Sequence, residues 1–268
     1  MPLRVPKDAD DNAPVINGHD ASILPLCAKL AARVNAFLQT EAETPLLKAV
    51  QEQTRVALGV ISTALDRYRY LDEISLSYNG GKDCLVLLIL LLCSLATYKK
   101  APLPKELHSV YIISSHPFKE VDAFVDDSVT TYSLDLARYA MPMKEAFKRY
   151  LEEHKKVKAI LVGTRRTDPH GQSLTHFDLT DSGWPAFMRV HPVIDWHYAE
   201  IWAFIRHFEI PYCPLYDQGY TSLGGTTDTH PNPALKATEG NMKENQSQGF
   251  RPAYELVEDR AERLGRDW

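Results

Sequence analysis

Residues Ile74–Ala96 read ISLSYNGGKDCLVLLILLLCSLA. Ile74–Tyr78 alternates apolar and polar side chains, which is the period of a strand. It runs straight into Asn79-Gly80-Gly81-Lys82-Asp83 and then into an apolar stretch of helical length. Strand, glycine turn, helix is half of a βαβ unit. The apolar stretch from Leu85 to Ala96 is about a dozen residues, where a membrane span needs about 20, so it reads as a buried helix.

The same alternation continues downstream. Ser109–Ile113 (SVYII) predicts a second strand, followed by a helix over 117–132 and a weaker strand over Leu134–Ala137. An amphipathic helix over 142–155 buries Met143, Ala146, Phe147, Tyr150 and Leu151, and Ala159–Val162 forms a fourth strand ending at Gly163. Strands alternating with helices predict an α/β fold with a mostly parallel sheet covered on both faces. Beyond Gly163 the chain is loop-rich, with one further helix over 196–208 whose buried side carries Trp196, Trp202, Phe204 and Phe208. Upstream, apolar residues at helical spacing predict helices over 24–38 and 45–70, the second with Thr44 as N-cap and Pro45 in its first turn. Residues 1–22 lack such spacing and read as a flexible arm, leaving 23–268 as a single domain with a helical N-terminal addition and a C-terminal extension.

The 268 residues carry a formal charge of −5, with 44% hydrophobic and 24% charged residues. That balance suits a globular protein with a substantial core, and it argues against nucleic-acid binding by bulk positive charge. The polar, proline-rich N-terminus shows no secretory pattern and no membrane association is expected. The four cysteines, Cys27, Cys84, Cys93 and Cys213, form no CxxC pair, which predicts free thiols in a reducing compartment and hence the cytoplasm.

In parallel α/β sheets ligands sit outside the carboxyl ends of the strands, so the turns after Tyr78, Ile113 and Val162 should share one crevice. Gly80 and Gly81 permit a tight turn with positive φ and exposed N–H groups, next to the helix N-terminus, where a phosphate is favoured. Lys82 adds positive charge, and Asp83 either holds the turn or helps to hold a metal-bound phosphate. A plain Gly-Gly hairpin turn is the alternative, and a Walker loop is excluded because GxxxxGK[ST] is absent. After the fourth strand, Gly163-Thr-Arg-Arg-Thr-Asp168-Pro-His-Gly171 offers two arginines beside a carboxylate, a phosphate site or a solvated loop. Arg260, Arg263 and Arg266 recur at three-residue spacing on an expected helix. The histidines show no HExxH pattern and are taken as structural or surface residues.

The stretch SYNGGKDC (77–84) resembles the SGGxD[ST] loop of the PP-loop ATP pyrophosphatase superfamily. Asn before the glycines and Cys after the Asp make it similar to eukaryotic FAD synthases (FMN adenylyltransferases), which share a fold with phosphoadenylylsulfate reductases. GTRRTDPHG (163–171), TDSGWPAFMRVHPVIDW (180–196), IWAFIRHFEIPYCPLYDQGYTSLGGTTDT (201–229) and RPAYELVEDRAERLGR (251–266) follow in the family's order, so the likeness spans 75–266. The chain resembles the shorter fungal form, without the second domain of the animal enzymes. The resemblance implies a Rossmann-like fold of the adenine nucleotide alpha hydrolase type, ATP and FMN as substrates, FAD as product, and Mg²⁺. It implies ATP contacts at Tyr78, Asn79, Gly80, Gly81, Lys82, Asp83, Gly163 and Thr164, with the backbone at Tyr111 and Ile112 reading the adenine edge. Asp168 would touch substrate or magnesium, and Asp181, Trp184 and Arg189 the flavin. Arg260 and Arg263 would reach the flavin site and the FMN phosphate, and Asn79, Asp83, Asp168, Arg260 and Arg263 would carry catalysis. Cys84 replaces the superfamily's Ser or Thr, so that hydroxyl contact does not carry over.

The reaction implied is ATP + FMN → FAD + pyrophosphate. FMN phosphate is already anionic at pH 7, consistent with the lack of Ser-His or Cys-His machinery, and flavin-requiring apo-enzymes would receive the product. The alternatives are a phosphoadenylylsulfate reductase-like enzyme, which would need a reactive C-terminal cysteine that this sequence lacks after Cys213, and a non-catalytic flavin- or nucleotide-binding module.

Overall fold

The computed structural model describes residues 22–68, 70–237 and 249–267. The arm expected over 1–22 lies almost wholly outside the described residues. Two helices open the fold, α1 (Leu24–Gln39) and α2 (Pro45–Arg67). As expected, the Thr44 side chain caps α2 by accepting a hydrogen bond from Leu47 N at 3.2 Å. Strand β1 (Ile74–Ser77) then leads through the glycine loop into α3 (Lys82–Leu95). The alternation continues through β2 (Leu107–Ile112), α4 (Lys119–Tyr132), β3 (Leu134–Tyr139), α5 (Met143–Glu153) and β4 (Ala159–Leu161). Two short strands, β5 (Phe177–Leu179) and β6 (Met188–Val190), precede α6 (Tyr198–His207).

The six strands lie in the order β3-β2-β1-β4-β6-β5, all parallel except β5, which pairs antiparallel with β6. From β1 the chain builds outward to β2 and β3, then returns to place β4 on the other side of β1. That reversal is the topological switch point, and the loops after β1 and β4 leave it side by side. The α/β class and the mostly parallel sheet agree with the sequence reading. The β5–β6 hairpin was not anticipated, because FDL and MRV are each too short to display a two-residue period.

Helix α3 explains its own composition. It contacts α1, α2 and α6, and every residue from Cys84 to Cys93 is buried. A helix enclosed all round must be apolar all round. The N-terminal helices are therefore the outer cover that lets the helix carrying the glycine loop be fully interior. Trp196, Trp202, Phe204 and Phe208 are buried as expected, although Trp196 precedes α6. None of the described helices is long and apolar enough to cross a membrane.

The expected C-terminal helix is absent from the described residues. Arg260 lies in a single 3₁₀ turn, Asp259–Ala261, and further turns carry the chain to Arg266. Three-residue spacing is the 3₁₀ period, and the segment is held by side chains from elsewhere rather than by its own ladder.

Gln51 is 6% exposed and joins the N-terminal helices by donating from Nε2 to the carbonyls of Phe37 (2.6 Å) and Thr40 (2.8 Å), at the end of α1. Gln51→Leu leaves those carbonyls less satisfied and should cost about 1–3 kcal/mol. The check is a lower urea midpoint with an unchanged slope; an unaltered midpoint would show that the contact contributes nothing.

Candidate active site

The loop between β1 and α3 is folded largely by its own side chains. Gly80 has φ +75°, and a Cβ there would lie 2.9 Å from Val125 Cγ2, so glycine is required for both conformation and space. Gly81 has an ordinary φ of −70° and is the N-cap of α3, so only one of the two glycines needs positive φ. Asn79 Oδ1 accepts from Gly81 N at 3.0 Å and from the Cys84 thiol at 2.9 Å. The buried Tyr216 hydroxyl accepts from Lys82 N at 2.9 Å. Two of the N–H groups expected to face a phosphate are thus engaged by the protein. Burial pushes the Cys84 thiol up to about 12, so it is neither thiolate nor nucleophile.

Lys82 corrects a second expectation. Its side chain is 2% exposed, with Nζ 3.0 Å from Asp83 Oδ2 and in contact with Glu262 Oε1. Its charge is consumed inside the fold rather than offered to a ligand. Burial alone would raise the Asp83 carboxyl, but the Arg165 guanidinium and Lys82 ammonium outweigh it and hold the group below its ordinary value.

The turn after β4 meets this loop. A Cβ on Gly163 would lie 2.8 Å from Cys84 N, so the two turns touch through backbone. Arg165 is fully buried: Nε lies 2.7 Å from Asp83 Oδ1, Nη1 3.4 Å from Asp259 Oδ1, and Nη2 contacts Glu262 Oε2 and stands 3.8 Å from Asp168 Oδ1. Asp168 Oδ2 accepts from Arg165 N at 2.8 Å, while Oδ1 receives Arg263 Nη2 at 3.1 Å. Arg166 points the other way and pairs with Asp195 at 2.6 Å. The two adjacent arginines therefore have separate work, neither of it directed at a free anion.

A cleft of about 190 Å³ lies over the glycine loop, lined among others by Asn79, Gly81, Thr164, Asp168 and Arg263. A larger cavity of about 950 Å³, bounded by Arg166, His170, Trp196 and His197, shares Asp168 and Arg263 with it. Of the residues singled out from sequence, Asn79, Gly81, Lys82, Asp83, Gly163, Thr164, Asp168 and Arg263 all line the smaller cleft. Gly80 and Tyr78 do not: Gly80 faces Val125 and Phe124, and the Tyr78 side chain is buried and donates to Ser128 Oγ at 2.8 Å, in the core. Tyr111 and Ile112 lie in the β2 ladder beside β1, outside both linings. Arg260 is not brought in either; its side chain is 86% exposed and pairs with Glu258 at 2.5 Å. Asp181 and Trp184 sit on the β5–β6 turn, 75% and 39% exposed, with Arg189 3.5 Å from Asp181, and none of the three lines either cavity.

Sequence reasoning missed Glu262, Tyr216 and Asp259, and it read Arg165 as a phosphate ligand or a solvated charge where the structure pairs it with internal carboxylates. Glu262 and Asp259 stood among charges that look solvated, and Tyr216 in IPYCPLY looks like packing. Only the meeting of distant segments reveals their use. His191, buried, and His176 exchange bonds with the carbonyls of Thr175 and His191, as structural histidines do.

Residues 73–148 and 138–231 match the family described as phosphoadenosine phosphosulfate reductase domain. The chain is 42% identical over 224 residues to a probable FAD synthase of Schizosaccharomyces pombe, a match covering 82% of this chain and 81% of that one. The crystal structure of Candida glabrata FMN adenylyltransferase with FMN and the ATP analogue AMPCPP has a TM-score of 0.84 and 32% identity, covering 91% of this chain and 99% of that one. The same enzyme with FAD and inorganic pyrophosphate also has a TM-score of 0.84, at 31% identity, covering 91% and 97% of the two chains. With its glycine-loop cleft at the switch point and these relatives along most of its length, the chain belongs to the phosphoadenosine phosphosulfate reductase domain family and, within it, to the FAD synthases.

Proposed function

We propose that the chain transfers the adenylyl group of ATP to FMN, giving FAD and pyrophosphate. One observation carries the reading: the cleft over the glycine loop and the larger cavity meet at the Asp168–Arg263 pair, so two phosphorylated ligands can touch there. ATP would lay its phosphates over the loop at Gly81 and Asp83, at the N-terminus of α3, where the helix dipole favours an anion. The FMN phosphate would approach from the larger cavity and exchange Asp168 for itself on Arg263, whose guanidinium can donate two bonds to it. An FMN oxygen attacks the α-phosphorus, the bond from that phosphorus to the bridging oxygen breaks, and pyrophosphate leaves with the electron pair. The nucleophile is already anionic at neutral pH, so the site's task is alignment and charge stabilisation rather than proton removal.

Magnesium is part of this proposal. Among the described residues no group of three His, Cys, Asp or Glu could hold a metal by itself. Mg²⁺ commonly binds through one or two carboxylates together with substrate phosphates, which suits Asp168 at the cleft wall. Held there, it would offset charge on the pyrophosphate. We assign the flavin ring to Asp181, Trp184 and Arg189 on the β5–β6 hairpin, where a part-exposed indole offers a face and polar groups suit the pyrimidine edge. The four cysteines are free thiols, which supports a cytoplasmic enzyme supplying FAD to apo-enzymes.

The direct test is incubation with ATP, FMN and Mg²⁺. FAD and pyrophosphate in equal amounts are expected, whereas binding without turnover would turn the reading into a binding module. Asp168→Ala should lower kcat/KM by about a hundredfold, the size typical of losing one charged transition-state contact, and full activity would refute its role. Trp184→Ala should weaken FMN affinity in a flavin-fluorescence titration. Unchanged affinity there, with a loss in His197→Ala, would move the ring into the larger cavity. Because its thiol is pushed up to about 12, Cys84 should resist iodoacetamide at pH 8 with activity retained; rapid labelling with inactivation would reopen the reductase alternative.

A further inference from the structure

We infer that Arg165, a residue that lines neither cavity, is a positioning residue for adenylyl transfer, holding the glycine-loop carboxylate and the Asp168–Arg263 pair in fixed relation. The inference rests on the adenylyl-transfer reading.

The geometry is that of one cation shared by three distant segments. Arg165 Nε lies 2.7 Å from Asp83 Oδ1 on the glycine loop. Its Nη2 contacts Glu262, the residue before Arg263, and its Nη1 lies 3.4 Å from Asp259 Oδ1. Its own backbone N–H orients Asp168 at 2.8 Å. Glu262 is 4% exposed and takes Lys82 on its other oxygen, so the glycine loop and the C-terminal segment are joined twice. The segment is fixed from behind as well: Thr221 Oγ1 donates to Glu262 O at 2.5 Å, and the buried Asn232 Nδ2 donates to Ala261 O at 2.7 Å.

The consequence concerns alignment. Asp83 bounds the ATP side, and Asp168 with Arg263 bounds the side where FMN is proposed. Arg165 links the two without reaching the space between them. A shift of about 1 Å between reacting groups can cost a hundredfold in rate. Lysine at this position keeps the charge but reaches as a point donor, so it cannot span four carboxylates with a planar fork.

The test is Arg165→Lys, alongside Asp259→Asn as a milder variant at the outermost contact, since Asp259 is 21% exposed. Both are assayed as folded protein well below their melting midpoints, against wild type. Arg165→Lys should lose at least about tenfold in kcat, with KM for ATP and for FMN each changed less than about threefold, the pattern of lost alignment rather than lost binding. Asp259→Asn should lose a smaller part of kcat in the same pattern. A purely structural role would lower the melting midpoint and leave kcat of the folded enzyme intact, and kcat within twofold of wild type in both variants would overturn the inference. A wild type that forms no FAD would instead overturn the functional reading beneath it.

Discussion

A guanidinium enclosed in protein must be met by carboxylates, and Arg165 is met by Asp83, Glu262 and Asp259, with Asp168 close by. Removing charge from water is costly, and the cost is offset only by close, well-directed partners. Those partners come from the loop after β1, the loop after β4 and the C-terminal turns. The need to satisfy one buried cation therefore welds together segments some hundred residues apart. Breaking such a cluster leaves uncompensated buried charge, which explains why its members must act as a unit.

The same cluster decides how the cleft can recognise an anion. Lys82 and Arg165 would look like phosphate ligands in any linear reading, yet their charge is neutralised within the fold. What remains at the cleft is the positive end of the α3 dipole, its Gly81 and Lys82 N–H groups already engaged by Asn79 and Tyr216, together with Arg263, which leans on Asp168. A helix end is fixed in place and needs no reorganisation when charge develops, the property that favours a transition state over a ground state. Its placement in turn depends on α3 being buried, hence on the α1–α2 cover and on Tyr216 gripping the first turn.

Local patterns made much of this molecule legible. The β1–glycine–α3 unit, the parallel sheet and most helix positions follow from apolar periodicity and turn chemistry, which act over a few residues. Gly80, Gly81, Asp83, Gly163 and Asp168 could be singled out for the same reason: they stand at the carboxyl ends of strands. The β5–β6 hairpin could not, since three-residue strands carry no period. The C-terminal arginines illustrate the limit. Arg260 and Arg263 are equivalent by spacing, yet Arg260 is solvent-borne while Arg263 reaches Asp168, because a 3₁₀ turn rather than a helix sets their directions.

The sequence by itself determined the fold class, the switch-point crevice and the resemblance to FAD synthases, because short-range sterics and burial encode them residue by residue. Tertiary structure alone decided which charges face a ligand and which face one another. A lysine, an arginine and a glutamate read identically in sequence whether exposed or buried. Only the convergence of Lys82, Arg165 and Glu262 in a water-poor interior turns three apparent surface charges into the frame of the site.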